Sequence, residues 1–273
     1  MRLHHLGVGA VFTTLVLGTL AAPASASATP SRALPACPKI FGHGGYPSGA
    51  NARQRDQIRQ PNNTRALSQM KAWGAAGVEG DLQLTRDAAE GVMWHNPTTY
   101  GLSGRERSVT AVRWSTGADR LHGRTITRGP YRGETVHTFR DWLDQLKARK
   151  LVGLVELKGE TRKFLLSRNA SVREAGWRQV IVPIKRRIAS QEILIYTHDK
   201  ALKPVLDERL RAAGLSATRT RHPVWVDTVA WREPPPSAAG NHGRWSSTLA
   251  QNPQRVATSW TKDYAQWLRG KCR

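Results

Sequence analysis

The chain has 273 residues, of which 42 are Lys or Arg and 20 are Asp or Glu, giving a formal net charge of +22. Such a charge implies attraction to polyanions such as cell-wall phosphate polymers or phospholipid surfaces, and it speaks to encounter rather than fold. The cations are spread from Arg53 to Arg273 with no basic block and no aromatic RNA-binding motif, so a specific nucleic-acid partner is not expected.

Residues 1–28 have a basic start (Arg2, His4, His5), an apolar stretch and a small-residue end at Ala26-Ser27-Ala28. That is the layout of a secretory signal peptide, and the expectation is an exported, soluble protein. About 245 residues follow, the size of one barrel domain over residues 39–273, entered through a proline-containing linker at 29–38. The two cysteines, Cys37 and Cys272, bracket this domain, and in an exported chain they are expected to pair and tie its ends.

Strand-like and helix-like stretches then alternate, the signature of a parallel α/β fold. Residues 40–42 read as a short strand ending at His43. Residues 63–76 place Ala66, Leu67, Met70 and Trp73 at helical spacing, with Asn63 near the N-cap and Gly77 as the stop. In the next run Val78, Leu82 and Leu84 fall on one face and Glu79, Asp81 and Gln83 on the other. A third strand covers 92–95 with His95 at its end. Residues 97–135, rich in Gly, Arg, Ser and Thr, read as an irregular insertion beside the strand ends.

Residues 138–150 form a helix with Phe139, Trp142, Leu143 and Leu146 on one face. It leads into a strand at 151–156 in which Glu156 shares a face with Lys158. Helices are expected at 172–188 and 202–213, with a strand at 192–196 between them. Candidate strands follow at 217–221, 224–229 and 255–259, a loop from Pro234 to Gly243, and a closing helix at 263–269.

An unpaired carboxylate inside a sheet costs several kcal/mol, roughly. Glu79, Asp81 and Glu156 together therefore point to a hard divalent cation with open positions for water and phosphate oxygens. His43 and His95 are the candidate general base and general acid flanking a scissile P–O bond. Lys158 is the candidate for offsetting phosphate charge. The competing readings are a salt-bridged surface pair at Glu79 and Asp81, an internal Glu156–Lys158 ion pair, and histidines that only hydrogen-bond. His198 and Asp199 read either as site residues or as a cap, and Trp231, Trp245 and Trp260 either as mouth residues or as packing.

In order, the His-Gly box at His43, Asn63-Thr64, Val78-Glu-Gly-Asp81 with Thr85, the strand ending in His95, and Val155-Glu-Leu-Lys158 resemble the glycerophosphodiester phosphodiesterase family. The resemblance runs from about Ile40 to Lys158 and is loose beyond. It implies a (β/α)₈ TIM barrel of the PLC-like phosphodiesterase type and a calcium or magnesium ion held by Glu79, Asp81 and Glu156. It also implies that His43 and His95 act as the acid–base pair on small or polymeric phosphodiesters. A monomer is expected.

Two departures stand out. Gly44 replaces the arginine expected after the first histidine, and Asn62 replaces the glutamate expected before Asn63, as though a charged pair near the site had been lost together. Phosphate would then be gripped by another cation, with Arg59, Arg105 and Arg232 as candidates. Asn96 also replaces the usual aspartate. These departures keep two other classes open: a catalytically impaired barrel that binds phosphate polymers, and a phospholipase D-like enzyme acting on phospholipid head groups.

Overall fold

All eight residues of strand β2 (Gly77–Leu84) are buried, and its period-two alternation sorts the molecule into an inner and an outer layer. In the computed structural model, which describes residues 36–43, 62–129, 131–220, 224–226 and 238–273, β2 lies in a seven-stranded sheet. The sheet order is β5 (Ile193–Tyr196), β4 (Val152–Leu157), β2, β1 (Lys39–His43), β7 (Arg255–Thr258) and β6 (Val224–Trp225), all parallel. β3 (Gly91–Met93) pairs with β2 from the side. The expected signal peptide at 1–28, most of the linker, Gly44, Arg59, Trp231 and Arg232 lie outside the described residues.

The sheet curls. Arg219 forms a parallel bridge with Ile195 beyond the β5 edge, and Val224 pairs with Val256 beyond the β7 edge. In a flat sheet those positions would stand six strand spacings apart, roughly 29 Å. Five residues of extended chain reach only about 17 Å, so the two edges must bend toward each other.

Register shows what fills the inside. Phe41 pairs with Gly77 and Ala257, and Gly77 pairs with Val152, so these residues share one face. Phe41, Leu154, Leu194, Tyr196 and Ala257 form a single apolar cluster that floors the interior. Gly77 is required there, because a Cβ at this position would sit 2.4 Å from the Phe41 ring. The outward residues Val78, Leu82, Leu84, Val155, Leu157, Ile193 and Ile195 belong to the main core with the covering helices.

These helices are α1 (Thr64–Ala72), α2 (Phe139–Ala148), the short α3 (Arg162–Leu165), α4 (Ala170–Lys185), α5 (Leu202–Ala212), α6 (His242–Leu249) and α7 (Thr261–Leu268). Two begin where sequence places them, with Asn63 accepting from the Ala66 N–H and Thr138 from the Asp141 N–H. The Cys37–Cys272 disulfide is formed, and the Cys37 N–H donates to the Arg273 carbonyl beside it.

Three expectations need correction. Residues 91–93 are not a parallel barrel strand, since Asp87 and Ala88 adopt φ of 58° and 55° and turn the chain back as an antiparallel hairpin on β2. Residues 216–218 form a 3₁₀ turn, and of the strand expected at 217–221 the described residues hold only the bridge at Arg219. The described residues thus hold six parallel strands in place of eight. The loop expected up to Gly243 instead enters α6 at His242, whose Trp245 packs at 0% exposure against Tyr264. Trp260 joins that same C-terminal cluster, so neither tryptophan lines the mouth.

The insertion is irregular, as its composition implies, but it has its own core of Trp94, Leu102, Val109, Leu121, Ile126 and Tyr131. Arg124 holds it together, donating to the carbonyls of Arg120, Arg105 and Asp119 and to Oγ1 of Thr99.

Candidate active site

Above the apolar floor the inner face turns polar. His43 is in register with Glu79, and Asp81 with Glu156, which pairs in turn with Tyr196. The strands therefore deliver these side chains to one end of the interior, at the C-terminal ends of the parallel strands. Oxygens of Glu79, Asp81 and Glu156 lie within 4.8 Å of one another.

The neighbours of each carboxylate differ. The Tyr196 hydroxyl donates to Oε1 of Glu79 at 3.0 Å, while Oε2 of Glu79 is buried with no hydrogen-bond partner among the described residues. Nζ of Lys158 lies 3.3 Å from Oδ1 of Asp81 and 3.3 Å from Oε1 of Glu156. Both the ligand reading and the ion-pair reading of Glu156 and Lys158 are thus visible in one arrangement.

The electrostatics follow from three acids sharing one ammonium. Burial, with the charges of Asp81 and Glu156, holds the Glu79 carboxyl well above the usual range. Burial and the Asp81 charge push Glu156 up to about 7. Burial also works against ionised Asp81, but Lys158, His95 and His43 outweigh it and hold its pKa low. Lys158 is raised despite its burial, because Asp81, Glu156 and Glu79 surround it.

An excess of buried negative charge with an orphaned carboxylate oxygen is what a divalent cation would relieve, so these residues fit one. Glu79, Asp81 and Glu156 would be the ligands.

Of the two histidines, His43 is the better placed. Its Nδ1 lies 3.1 Å from the Ser259 hydroxyl, and its Nε2 lies 3.9 Å from the orphaned Oε2 of Glu79. His95 stands just beyond β3, near enough for its charge to act on Asp81, with Nδ1 3.1 Å from Oδ1 of Asn96. The fully buried Gln83, next to Asp81 on the inner face of β2, fixes the backbone that carries His95. Its Nε2 donates to the carbonyls of Trp94 at 2.6 Å and Asn96 at 2.7 Å.

Asp199 is a cap, its Oδ1 accepting from the N–H groups of Ala201 and Leu202 at the start of α5, and His198 packs edge-on against the Tyr196 ring. Asn62 lies behind β2, next to the outward-facing Gly80, with both amide atoms unpartnered. Gly44, the other half of the pair expected to have been lost, lies outside the described residues. Arg105 is exposed on the insertion.

Sequence reading missed Tyr196 and Ser259 as site residues. Register held the signal for Tyr196, since the strand at 192–196 ends with it on the inner face.

No family model matches the sequence, and no curated protein matches it. Solved structures do share its fold. A Silicibacter pomeroyi DSS-3 protein assigned as a glycerophosphoryl diester phosphodiesterase aligns with a TM-score of 0.58 at 15% identity, over 87% of this chain and 95% of its own. A glycerophosphoryl diester phosphodiesterase from Parabacteroides distasonis aligns at 0.56 and 11%, over 89% of each chain. An Oleispira antarctica phosphodiesterase, solved with the product sn-glycerol-3-phosphate, aligns at 0.50 and 15%, over 86% of this chain and 96% of its own. The chain has the fold of the glycerophosphodiester phosphodiesterases.

Proposed function

We propose that this chain is a secreted, metal-dependent phosphodiesterase that hydrolyses glycerophosphodiesters, or glycerol phosphate polymers, to glycerol phosphate and an alcohol. One observation carries the reading: the three carboxylates converge beside His43, with an oxygen of Glu79 buried and unpartnered, at the C-terminal end of a curled parallel sheet. The product complex of the Oleispira antarctica protein, on the same fold, supports the substrate class. The disulfide and the signal-like residues 1–28 support export.

When bound, the divalent cation would neutralise and orient the phosphate oxygens. The residues of the chain do the rest. The Ser259 hydroxyl lies against Nδ1 of His43; in the tautomer protonated at Nδ1, Nε2 takes the proton of the attacking hydroxyl, which in a glycerol ester is a neighbouring hydroxyl of the substrate. His95, with Nδ1 against Asn96, protonates the departing oxygen, which leaves a cyclic phosphate; water then attacks the phosphorus and gives its proton to His95, and the ring oxygen leaves with the proton held by His43. Lys158 remains among the carboxylates and faces the charge that develops on phosphate.

Hydrolysis of glycerophosphocholine or a glycerol phosphate polymer is expected to stop with a chelator and return with magnesium or calcium. Glu79→Ala and His43→Ala should each lower kcat by about a hundredfold or more. A folded protein that cleaves no phosphodiester with any divalent cation, yet binds the polymers, would be a binding protein rather than an enzyme.

A further inference from the structure

Each of the three carboxylates already has one oxygen engaged by the protein. Tyr196 holds Oε1 of Glu79 at 3.0 Å, and Lys158 holds Oδ1 of Asp81 and Oε1 of Glu156 at 3.3 Å each. On Glu79 the remaining oxygen is the buried one with no hydrogen-bond partner, on a residue only 1% exposed. A donor on one carboxylate oxygen takes one of its lone pairs and turns the group, so that the other oxygen is the better placed ligand for a cation.

That distinction separates the two cations expected at the site. Calcium takes six to eight oxygens and commonly uses both oxygens of a carboxylate. Magnesium takes six in strict octahedral geometry and keeps several waters. Resting on the phosphodiesterase reading above, we propose that Tyr196 and Lys158 select the cation: by holding one oxygen of each carboxylate, they bias Glu79, Asp81 and Glu156 toward single-oxygen ligation and favour magnesium over calcium.

Tyr196 is the cleaner of the two to test. Its ring is 1% exposed and belongs to the apolar floor with Phe41, Leu154, Leu194 and Ala257, so phenylalanine keeps the packing and removes only the hydroxyl. Removing Lys158 would instead leave Asp81 and Glu156 facing each other without their shared ammonium.

The experiment is calorimetric titration of the metal-stripped full chain with magnesium and, separately, with calcium, for wild type and Tyr196→Phe. It reads binding without turnover. Wild type is expected to bind magnesium more tightly, and the variant to shift the ratio of the two dissociation constants toward calcium by about tenfold. A wild type that prefers calcium overturns the proposal but leaves the metal site standing, as does a variant ratio within about twofold of wild type. Binding of neither cation removes the metal site and the proposal together. Should the variant fail to fold, the wild-type preference alone decides.

Discussion

Ser259 stands 216 positions from His43 in the chain, yet its hydroxyl lies 3.1 Å from Nδ1 of that ring and fixes which nitrogen faces the carboxylates. One neutral hydrogen bond is worth about 1 kcal/mol, so Ser259→Ala is expected to lower kcat by about five- to tenfold. Metal affinity should stay unchanged, because Ser259 touches no carboxylate ligand. Steady-state kinetics with a parallel metal titration checks both; an equal loss in metal binding would show that the hydroxyl supports the whole site rather than the ring. Glu79 and Asp81 were legible because two residues apart on a strand means one face, and the apolar residues Val78, Leu82 and Leu84 marked the other. Gln83 was legible as an inner-face residue, but nothing local showed that it clamps the carbonyls around His95. The partners of His43 and Glu79 come from just beyond β7 and from β5, and no periodicity links such distant positions.

At the scale of elements, the segment leading from the insertion into α2 is joined to α1 through His137, whose Nε2 lies 3.2 Å from Oγ1 of Thr64. Burial holds the pKa of His137 below its ordinary value; Asp141 and Glu134 act against this shift and Arg149 with it. An unfolded histidine titrates near about 6.5, so below that pH the unfolded chain takes up a proton that folded His137 resists. The stability contributed by neutral His137 is complete above that point and is lost as pH falls through it toward the folded value. The melting temperature of wild type should therefore drop more steeply from pH 7.5 to 5.5 than that of His137→Gln, whose amide nitrogen replaces Nε2 without titrating. Parallel pH profiles for the two proteins would refute this. Other elements show where sequence runs out: the β2–β3 turn uses two non-glycine residues at positive φ, and α6 starts in a Gly- and Pro-rich stretch that reads as a loop.

For the whole molecule, the notable contrast is between a formal charge of +22 and a site built on three carboxylates. The local acids serve the cation, while the long-range field comes from Arg and Lys spread across the chain. Such a field raises the encounter rate with a polyanion by about ten- to a thousandfold at low salt and does little for a ligand without net charge. Added salt shrinks the screening length from about 10 Å at 0.1 M to about 3 Å at 1 M, removing the field while leaving close contacts within the site largely intact. If polymeric glycerol phosphate is the substrate, kcat/KM for it should fall by about tenfold or more between 0.05 and 0.5 M salt. For zwitterionic glycerophosphocholine it should change by less than about threefold over the same range. Equal salt dependence for both substrates would mean that the surplus charge does not serve substrate capture. A steep fall for the polymer alone would assign the arginines to its recruitment and explain how a site without an arginine after His43 gathers phosphate.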